Sequence, residues 1–593
     1  MPMLYPQDNR FRETKELSGF WDFRLDPAER GVEQGWHDGF APQRHIAVPC
    51  SWNEQFQDLK NYFGRAWYQA RFHLPRGWQG RRVWLRVGSA NYWADVWLNG
   101  ERAGGHAGGH LPFEFDVTRL VRPEDENVLV IRVNGELSLE TVPWGMVPDP
   151  HLPRSAEQYP DINFDFFPYC GLHRPVILYT TPPAAIRDLS VHTTLNEPGA
   201  SLHVAVRADL PEGARIPCAL YPAGEGTAVV TGEATWATDG SFHCQLAVPD
   251  PRLWGPADPY LYTLHLDMIQ DGQTCDEYQL PVGLRTVAVQ GDQLLLNDRP
   301  IFLQGFGKHE DFPVVGRGFC LPVAVKDFAL LRWIGANSFR TAHYPHAEQV
   351  LQMADRQGLM VIAESPAVSL FFGRGTRQRL AVCKQQVEEM IARDRNHPSV
   401  IMWSVANEPD SDVPQAVPFL KELADLCHKL DNTRPVTFAS HKGVADEAIR
   451  YFDVMCLNRY YGWYSDPAQL ELACQKLGDE MDAMHQKFGK PLLLTEFGAD
   501  ALAGRHTDPP ELFGEEFQVE LVRRYLEVVR RKPYAVGAHV WTFADFRTAQ
   551  TFRRVTGVNY KGAFTRDRQP KMAAHMLRSL WHTEGPGGER EQE

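Results

Sequence analysis

The chain lacks most of the features that would place it in a familiar class at once. Over 593 residues no apolar run reaches the length of a bilayer span. The opening stretch, M-P-M-L-Y-P-Q-D-N-R-F-R-E, puts polar and acidic residues where a secretory leader needs its apolar segment, so a cytoplasmic location and no membrane partner are expected. Ten cysteines (Cys50, Cys170, Cys218, Cys244, Cys275, Cys320, Cys383, Cys427, Cys456 and Cys474) stand far apart, with no C-x-x-C knuckle and no disulfide framework. They read as buried free thiols. Acidic residues outnumber basic ones, 75 to 61, and no basic stripe offsets the net charge of -14, so nothing supports nucleic-acid binding and no nucleic-acid partner is expected. No glycine-rich phosphate loop follows an early strand, no H-E-x-x-H is present, and no G-x-S-x-G marks a serine nucleophile. His343, Tyr344 and His346 form H-Y-P-H, but a zinc set would have to be gathered from separate loops. Neither a metal nor another cofactor is expected.

What is present is aromatic and modular. The chain is too long for a single core, so two to four domains are expected. Its 16 tryptophans suit cores and interfaces, and also flat carbohydrate-binding pockets. Residues 1–182 alternate in period two, as in R-V-W-L-R-V (Arg82–Val87), A-D-V-W-L-N-G (Ala94–Gly100) and N-V-L-V-I-R-V (Asn127–Val133), which predicts a β-sandwich. That segment ends in Asp161–Thr180, both aromatic and polar. It reads equally as a packed seam around Phe166, Phe167 and Tyr169 or as a loop lending Asp165 or His173 to a neighbouring pocket. After Thr181-Pro182-Pro183, residues 183–289 carry short strands with Pro and Gly turns, the pattern of an immunoglobulin-like sandwich without its Cys–Trp–Cys spacing.

From residue 290 to 593 the period changes again. Eight short apolar runs alternate with amphipathic helices, predicting a closed (β/α)₈ barrel, the TIM-barrel architecture; only the helix near Val444–Arg450 is thin. Polar residues gather at the C-terminal ends of these runs, where such barrels place their chemistry: His309, Glu310 and Asp311; Arg340, His343 and Tyr344; Glu364; Asn407 and Glu408; Asn458, Arg459, Tyr460 and Tyr464; Glu496; Trp541 and Asp545. Two of the runs end in glutamate, V-I-M-W-S-V-A-N-E-P at Glu408 and P-L-L-L-T-E-F-G at Glu496. Tips of the fourth and seventh strands face each other across a barrel mouth, so two carboxyl groups can flank one glycosidic bond. A separation of about 5–5.5 Å allows direct attack with retention, and one of about 6.5–9.5 Å admits a water and gives inversion. The sequence leaves both open. Asn407 is placed to donate to a sugar hydroxyl, and Tyr460 to keep Glu496 ionised. Glu408 must then hold a proton near neutral pH.

These segments closely resemble glycoside hydrolase family 2. N-E-P at 407–409 and T-E-F-G at 495–498 match its acid/base and nucleophile segments. The likeness extends through L-S-G-F-W-D-F-R-L-D (Leu17–Asp26), V-P-C-S-W-N (Val48–Asn53), P-Y-L-Y-T-L (Pro259–Leu264), V-G-L-R (Val282–Arg285), G-F-G-K-H-E-D and G-A-N-S-F-R-T-A-H-Y-P. The resemblance implies retention, with Glu408 as acid/base and Glu496 as nucleophile. Within the family the loop V-N-Y-K-G-A-F-T-R-D-R-Q-P-K (Val558–Lys571) resembles the β-glucuronidase branch, which carries N-x-K there; here it is Asn559-Tyr560-Lys561. An ammonium and an amide form charge-assisted bonds to a C6 carboxylate, whereas a neutral hexose would leave the lysine unpaired. The resemblance further implies that Asp165, His309, Asn407, Asn458, Tyr464 and Trp541 line the sugar, with Arg554 near its carboxylate. Because Asp165 comes from the first sandwich, the barrel alone would be an incomplete enzyme.

Two departures stand out. Tyr560 is aromatic where close relatives commonly have a second lysine. The stretch Ser365–Arg379 is short where several gut bacterial relatives carry a longer loop over small aglycones, so a more open aglycone side is expected. The resemblance implies β-glucuronides, small or oligosaccharide, as substrates and a homodimer or homotetramer. Other family 2 exo-glycosidases (β-galactosidase, β-mannosidase, β-galacturonidase) are the alternatives. The loop disfavours the first two but does not settle the C4 configuration. A non-catalytic carbohydrate-binding protein is the reading from another class, and both glutamates speak against it.

Overall fold

The computed structural model describes residues 4–145, 161–196, 198–210, 214–224 and 226–583. The N-terminal part is built from a four-stranded and a six-stranded antiparallel sheet. Arg82–Val87 is a strand as expected, its Val83, Leu85 and Val87 buried in a core with Trp21, Phe23, Trp52 and Tyr68. The next run is shorter than the sequence suggested. It spans Trp93–Leu98, because Asn99 (φ 54°) and Gly100 (φ 84°) form a two-residue turn into Glu101–Ala107. Positive φ at both turn positions matches the right-handed twist of the flanking strands.

The second part runs from Ile186 to Val282 as seven strands around a separate core that includes Leu202, Val204, Leu220, Leu246 and Leu264. Its two halves are joined, since Val230–Trp236 pairs along most of its length with Ile216–Tyr221 and at its end with Phe242–Val248. A hairpin of Val287–Gln290 and Gln293–Leu296 follows. Its Leu294 and Leu296 pack with Met360, Ile362, Ile401, Val454, Leu493 and Val536, closing the N-terminal end of the barrel.

Eight parallel strands close that barrel: Leu303–Lys308, Ser338–Thr341, Met360–Glu364, Val400–Asn407, Val436–Ser440, Met455–Asn458, Leu492–Glu496 and Ala535–Val540. The fourth is buried at every position, which explains an apolar run without alternation. The thin segment after the fifth strand is two 3₁₀ turns, Gly443–Ala445 and Glu447–Tyr451, in place of a full helix.

The sandwich lies against the barrel mouth through a seam that is both greasy and charged. Tyr92, Leu137, Phe164 and Phe166 share one core with Ala342, Tyr344, Val368, Trp541 and Phe546. The two readings of Asp161–Thr180 therefore divide by residue. Phe166, Phe167 and Tyr169 are buried in the seam, and His173 is buried there too, its Nε2 2.9 Å from Ser51 Oγ. Only Asp165 reaches the pocket. Around the seam, Tyr169 donates to Asp311 (2.9 Å), Arg547 to Glu54 (2.9 Å) and Arg174 to Glu310 (3.1 Å). Arg86 Nη2 donates to both oxygens of Glu348 at 2.8 Å, and Nη1 to Glu114.

Buried charges are tolerated only when paired, and removing one partner strands the others. Arg86 is 2% exposed, with Glu348 and Glu114 at 11% and 14%. Arg86→Ala should therefore destabilise the protein by roughly 3–5 kcal/mol, seen as a lowered urea midpoint. An unchanged midpoint would show that the seam does not depend on this pair.

Candidate active site

The site is assembled from strand tips. The fourth barrel strand ends at Asn407, and Glu408 takes φ 47° before Pro409, which turns its side chain out of the ladder direction while its N–H still bonds Ala439 O at 2.8 Å. A non-glycine residue held at positive φ is a local strain kept by its surroundings. Glu496 is the last residue of the seventh strand, and Asn458 the last of the sixth. Asn458 joins the two acids: its Nδ2 donates to Glu408 Oε1 (2.9 Å) and Asn407 Oδ1 (3.1 Å), while its Oδ1 accepts from Thr495 Oγ1 (2.7 Å), the neighbour of Glu496.

The surroundings of the two glutamates differ sharply. Glu496 is 4% exposed. Arg340 Nη2 donates to its Oε1, Tyr460 OH donates to its Oε2 at 2.8 Å, and His343 Nε2 lies 3.6 Å from Oε1. Arg340 in turn bonds Glu364 (2.6 Å), which is also held by His343 (2.9 Å) and Ser404 (2.8 Å). Glu408 is only half-buried and meets an amide rather than a cation. Burial raises the Glu496 carboxyl above its ordinary value of 4.5, against the opposing charges of Arg340 and His343. Burial beside Glu496 also holds the Tyr460 phenol well above 10, so it stays a donor. Trp541 stacks on His343 (centroids 4.9 Å apart) and meets His309 edge-on (5.3 Å). His309 Nδ1 is 3.0 Å from Tyr344 OH, and its Nε2 is buried with no partner among the described residues.

A second polar group adjoins the first through two tyrosine rings, Tyr460 and Tyr464, 5.1 Å apart. Tyr464 OH accepts from Arg554 Nη2 (2.6 Å) and Lys561 Nζ (3.0 Å). Asn559 Nδ2 donates to Asp165 Oδ2 (2.6 Å), and Arg554 grips both oxygens of that carboxylate, Nε to Oδ1 (2.7 Å) and Nη2 to Oδ2 (2.6 Å). The residues that the family likeness assigned to the reaction or to the sugar thus lie in one of two adjoining clusters, whereas Glu310, Asp311, Arg459 and Asp545 bond Arg174, Tyr169, Glu480 and Lys571. Lys561 departs from expectation in one respect. Its ammonium, fully buried, is already bonded to Asp500, so a neutral hexose would not leave it unpaired.

The sequence reading missed two partners. Arg340 stood among the polar strand-end residues without a task, and its contact with Glu496 depends on a strand pairing that only the closed barrel reveals. Asp500 sits four residues beyond Glu496 in the same strand-to-helix loop. That position was its only sequence signal.

Comparison with known proteins agrees with this geometry. Three family models cover the chain: the family 2 glycosyl hydrolase sugar-binding domain over residues 14–182, the family 2 central domain over 184–285, and the family 2 TIM-barrel domain over 287–584. The chain belongs to glycosyl hydrolase family 2. Among its relatives, a beta-glucuronidase of Paenibacillus borealis is 43% identical over 98% of both chains, and that of Felis catus 42% identical over 98% of this chain and 92% of its own. A beta-D-glucuronidase structure from Dictyoglomus thermophilum superimposes with a TM-score of 0.91 at 38% identity, covering 99% of this chain and all of that one. A Ruminococcus gnavus beta-glucuronidase in complex with D-glucuronic acid gives 0.92 at 37%, covering 98% and 99%. Among the described residues no helix is long and apolar enough to cross a membrane.

Any step that needs Glu496 as a carboxylate slows as pH drops through its pKa. The upward direction at Glu496 puts that acid limb above the ordinary 4.5. The Tyr460 hydrogen bond pulls the other way. Tyr460→Phe should move the acid limb of kcat/KM to higher pH and lower kcat about 10²-fold, as read from pH–rate profiles on an aryl glycoside. A limb that stays in place would remove Tyr460 from this role.

Proposed function

We propose that the protein is a retaining exo-β-glucuronidase that releases terminal β-D-glucuronic acid from small conjugates or oligosaccharides. One observation carries this reading: an amide–ammonium–guanidinium set (Asn559, Lys561, Arg554) adjoins a pair of glutamates on opposed strand tips, and two of those donors already hold the carboxylate of Asp165. A uronic acid presents the same planar acceptor at C6. The beta-glucuronidase relatives supply independent support.

In this reading Glu496 attacks the anomeric carbon as Glu408 passes its proton to the leaving oxygen, giving a covalent glycosyl-enzyme. Glu408, now the base, takes a proton from water, which displaces Glu496. Arg340 and Tyr460 aim the nucleophile. Asn407 uses its amide on a sugar hydroxyl, His309 offers its unpartnered Nε2 to another, and Trp541 forms a wall. Because Asp500 already satisfies Lys561, selection for the uronide rests on bonds added by its carboxylate, not on a penalty for leaving a cation bare.

The aglycone side supports a broad substrate range. Residues 365–375 are short and tied down, with Trp144 Nε1 donating to Ser369 O (2.7 Å) and its ring 4.5 Å from that of Phe371. The family's habit of oligomerising extends the reading to a homo-oligomer, and ten unbridged thiols suit a reducing cytoplasm.

The deciding assay compares p-nitrophenyl β-glucuronide, β-galacturonide and β-galactoside, and then glucuronides of increasing aglycone size. Only the glucuronides should turn over well, with little loss for bulky aglycones. Lys561→Ala should lower kcat/KM for the glucuronide by about 10- to 100-fold and leave the galactoside near its low baseline. Equal turnover of the galactoside by the unsubstituted enzyme would defeat the assignment. Glu408→Ala and Glu496→Ala should each lose about 10⁴-fold. Azide should rescue the first as a β-glycosyl azide and the second as an α-azide; the opposite pairing would exchange the two roles.

A further inference from the structure

Lys571 touches neither glutamate, nor Asn559, nor the Lys561 side chain, yet it is among the most enclosed cations in the molecule. Its side chain is 0% exposed. The ammonium donates three bonds: to Tyr560 O at 2.9 Å, to Ala501 O at 2.9 Å and to Asp545 Oδ1 at 2.8 Å. Each acceptor belongs to a different part of the uronate group. Tyr560 is the residue between Asn559 and Lys561. Ala501 follows Asp500, whose carboxylate holds the Lys561 ammonium and also accepts the Tyr560 N–H at 2.8 Å. Asp545 lies beyond the last barrel strand and accepts the Gly562 N–H at 2.9 Å, on the far side of Lys561.

One ammonium therefore fixes the backbone on both flanks of Lys561 and the backbone beside its counter-ion. Lys571 is itself anchored, its N–H bonded to Ala563 O at 3.0 Å at the start of the helix Met572–Thr583. Two carbonyl oxygens and a carboxylate converging on one buried point repel one another unless a cation sits among them. Taking the charge away pushes these three backbones apart, and a donor displaced by an ångström loses much of its grip on a planar carboxylate.

Resting on the glucuronidase reading above, we infer that Lys571 is a positioning residue for substrate selection. It acts through Tyr560, Ala501 and Asp545 to hold Asn559 and Lys561 at the spacing a sugar carboxylate requires, and it leaves the two reacting glutamates untouched. Its effect belongs in KM and in uronide preference rather than in kcat.

The test uses the full-length protein carrying Lys571→Met or Asp545→Asn. It measures kcat and KM on p-nitrophenyl β-glucuronide and β-galactoside, the Kd of D-glucaro-δ-lactam, and thermal unfolding. Lys571→Met should raise KM for the glucuronide and the lactam Kd in parallel by about 10- to 100-fold, with kcat nearly unchanged and the glucuronide-to-galactoside ratio reduced. Asp545→Asn keeps an acceptor for both Lys571 and Gly562 but loses its charge, and should shift the same quantities by less. A folded Lys571→Met protein with unmoved KM and Kd overturns the inference, as does a loss confined to kcat. If Lys571→Met does not fold, Asp545→Asn decides on the same criteria. A wild-type protein inactive on glucuronides overturns this inference together with the reading beneath it, whereas an active wild type with unmoved variants overturns this inference alone.

Discussion

The buried guanidinium of Arg340 is the interaction on which the site depends. It lies under the pocket floor, 1% exposed, between Glu364 at 0% and Glu496 at 4%. Two carboxylates so enclosed would each shed a proton-free state without a shared cation, because desolvation favours the neutral form. The Arg340 charge opposes that effect in both acids. It also fixes where Glu496 points, since Tyr460 takes the second oxygen. The cost of enclosing these charges is met by a network in which Glu364 is bonded by Arg340, His343 and Ser404 together.

That network needs cover, and the barrel does not supply all of it. Phe166 from the sandwich segment packs against His309 and His343, with ring centroids 5.4 and 6.2 Å away, and the same segment delivers Asp165 to Arg554 and Asn559. Packing and recognition thus share one stretch of chain. The charged bonds around it, such as Tyr169 to Asp311 and Arg174 to Glu310, set its height over the mouth. A displacement of the sandwich would both admit water to Glu496 and move Asp165. This is a physical reason for a hydrolase to retain a domain that, among the described residues, brings Asp165 to the pocket.

How much of this was legible in the sequence depended on the range of the signal. Strands buried on both faces, such as Val400–Asn407, announce themselves as unbroken apolar runs, and strand-tip polar residues follow from barrel topology. The glutamates and Asn458 were therefore within reach, as was the N-x-K loop through family likeness. What stayed hidden was pairing across strands. Nothing local says that Arg340 bridges Glu364 and Glu496, that Asp500 claims Lys561, or that Lys571 closes the loop behind it. The thin segment after the fifth strand was visible as such, whereas the Asn99–Gly100 turn was a smaller miss of local origin. There, composition allowed two local structures and packing chose one.

The pairing of Lys561 changes the account of selectivity itself. Around the expected carboxylate stand two cations, Lys561 and Arg554, and two carboxylates, Asp500 and Asp165. The group is balanced before any substrate arrives, and the whole chain carries -14. Neither the net charge nor this balanced group argues for a long-range positive field that draws an anionic sugar inward. Recognition must then come from exchange at short range. In the proposed uronide reading, the incoming carboxylate takes over donors that Asp165 and Asp500 now occupy. An exchange of this kind is close to neutral in total charge but strict in geometry, because each donor keeps an acceptor only if the newcomer is planar and correctly placed. A neutral hexose fails by offering nothing worth the exchange. That is why the rigidity of the loop bearing Asn559 and Lys561 matters more to this pocket than the number of its positive charges.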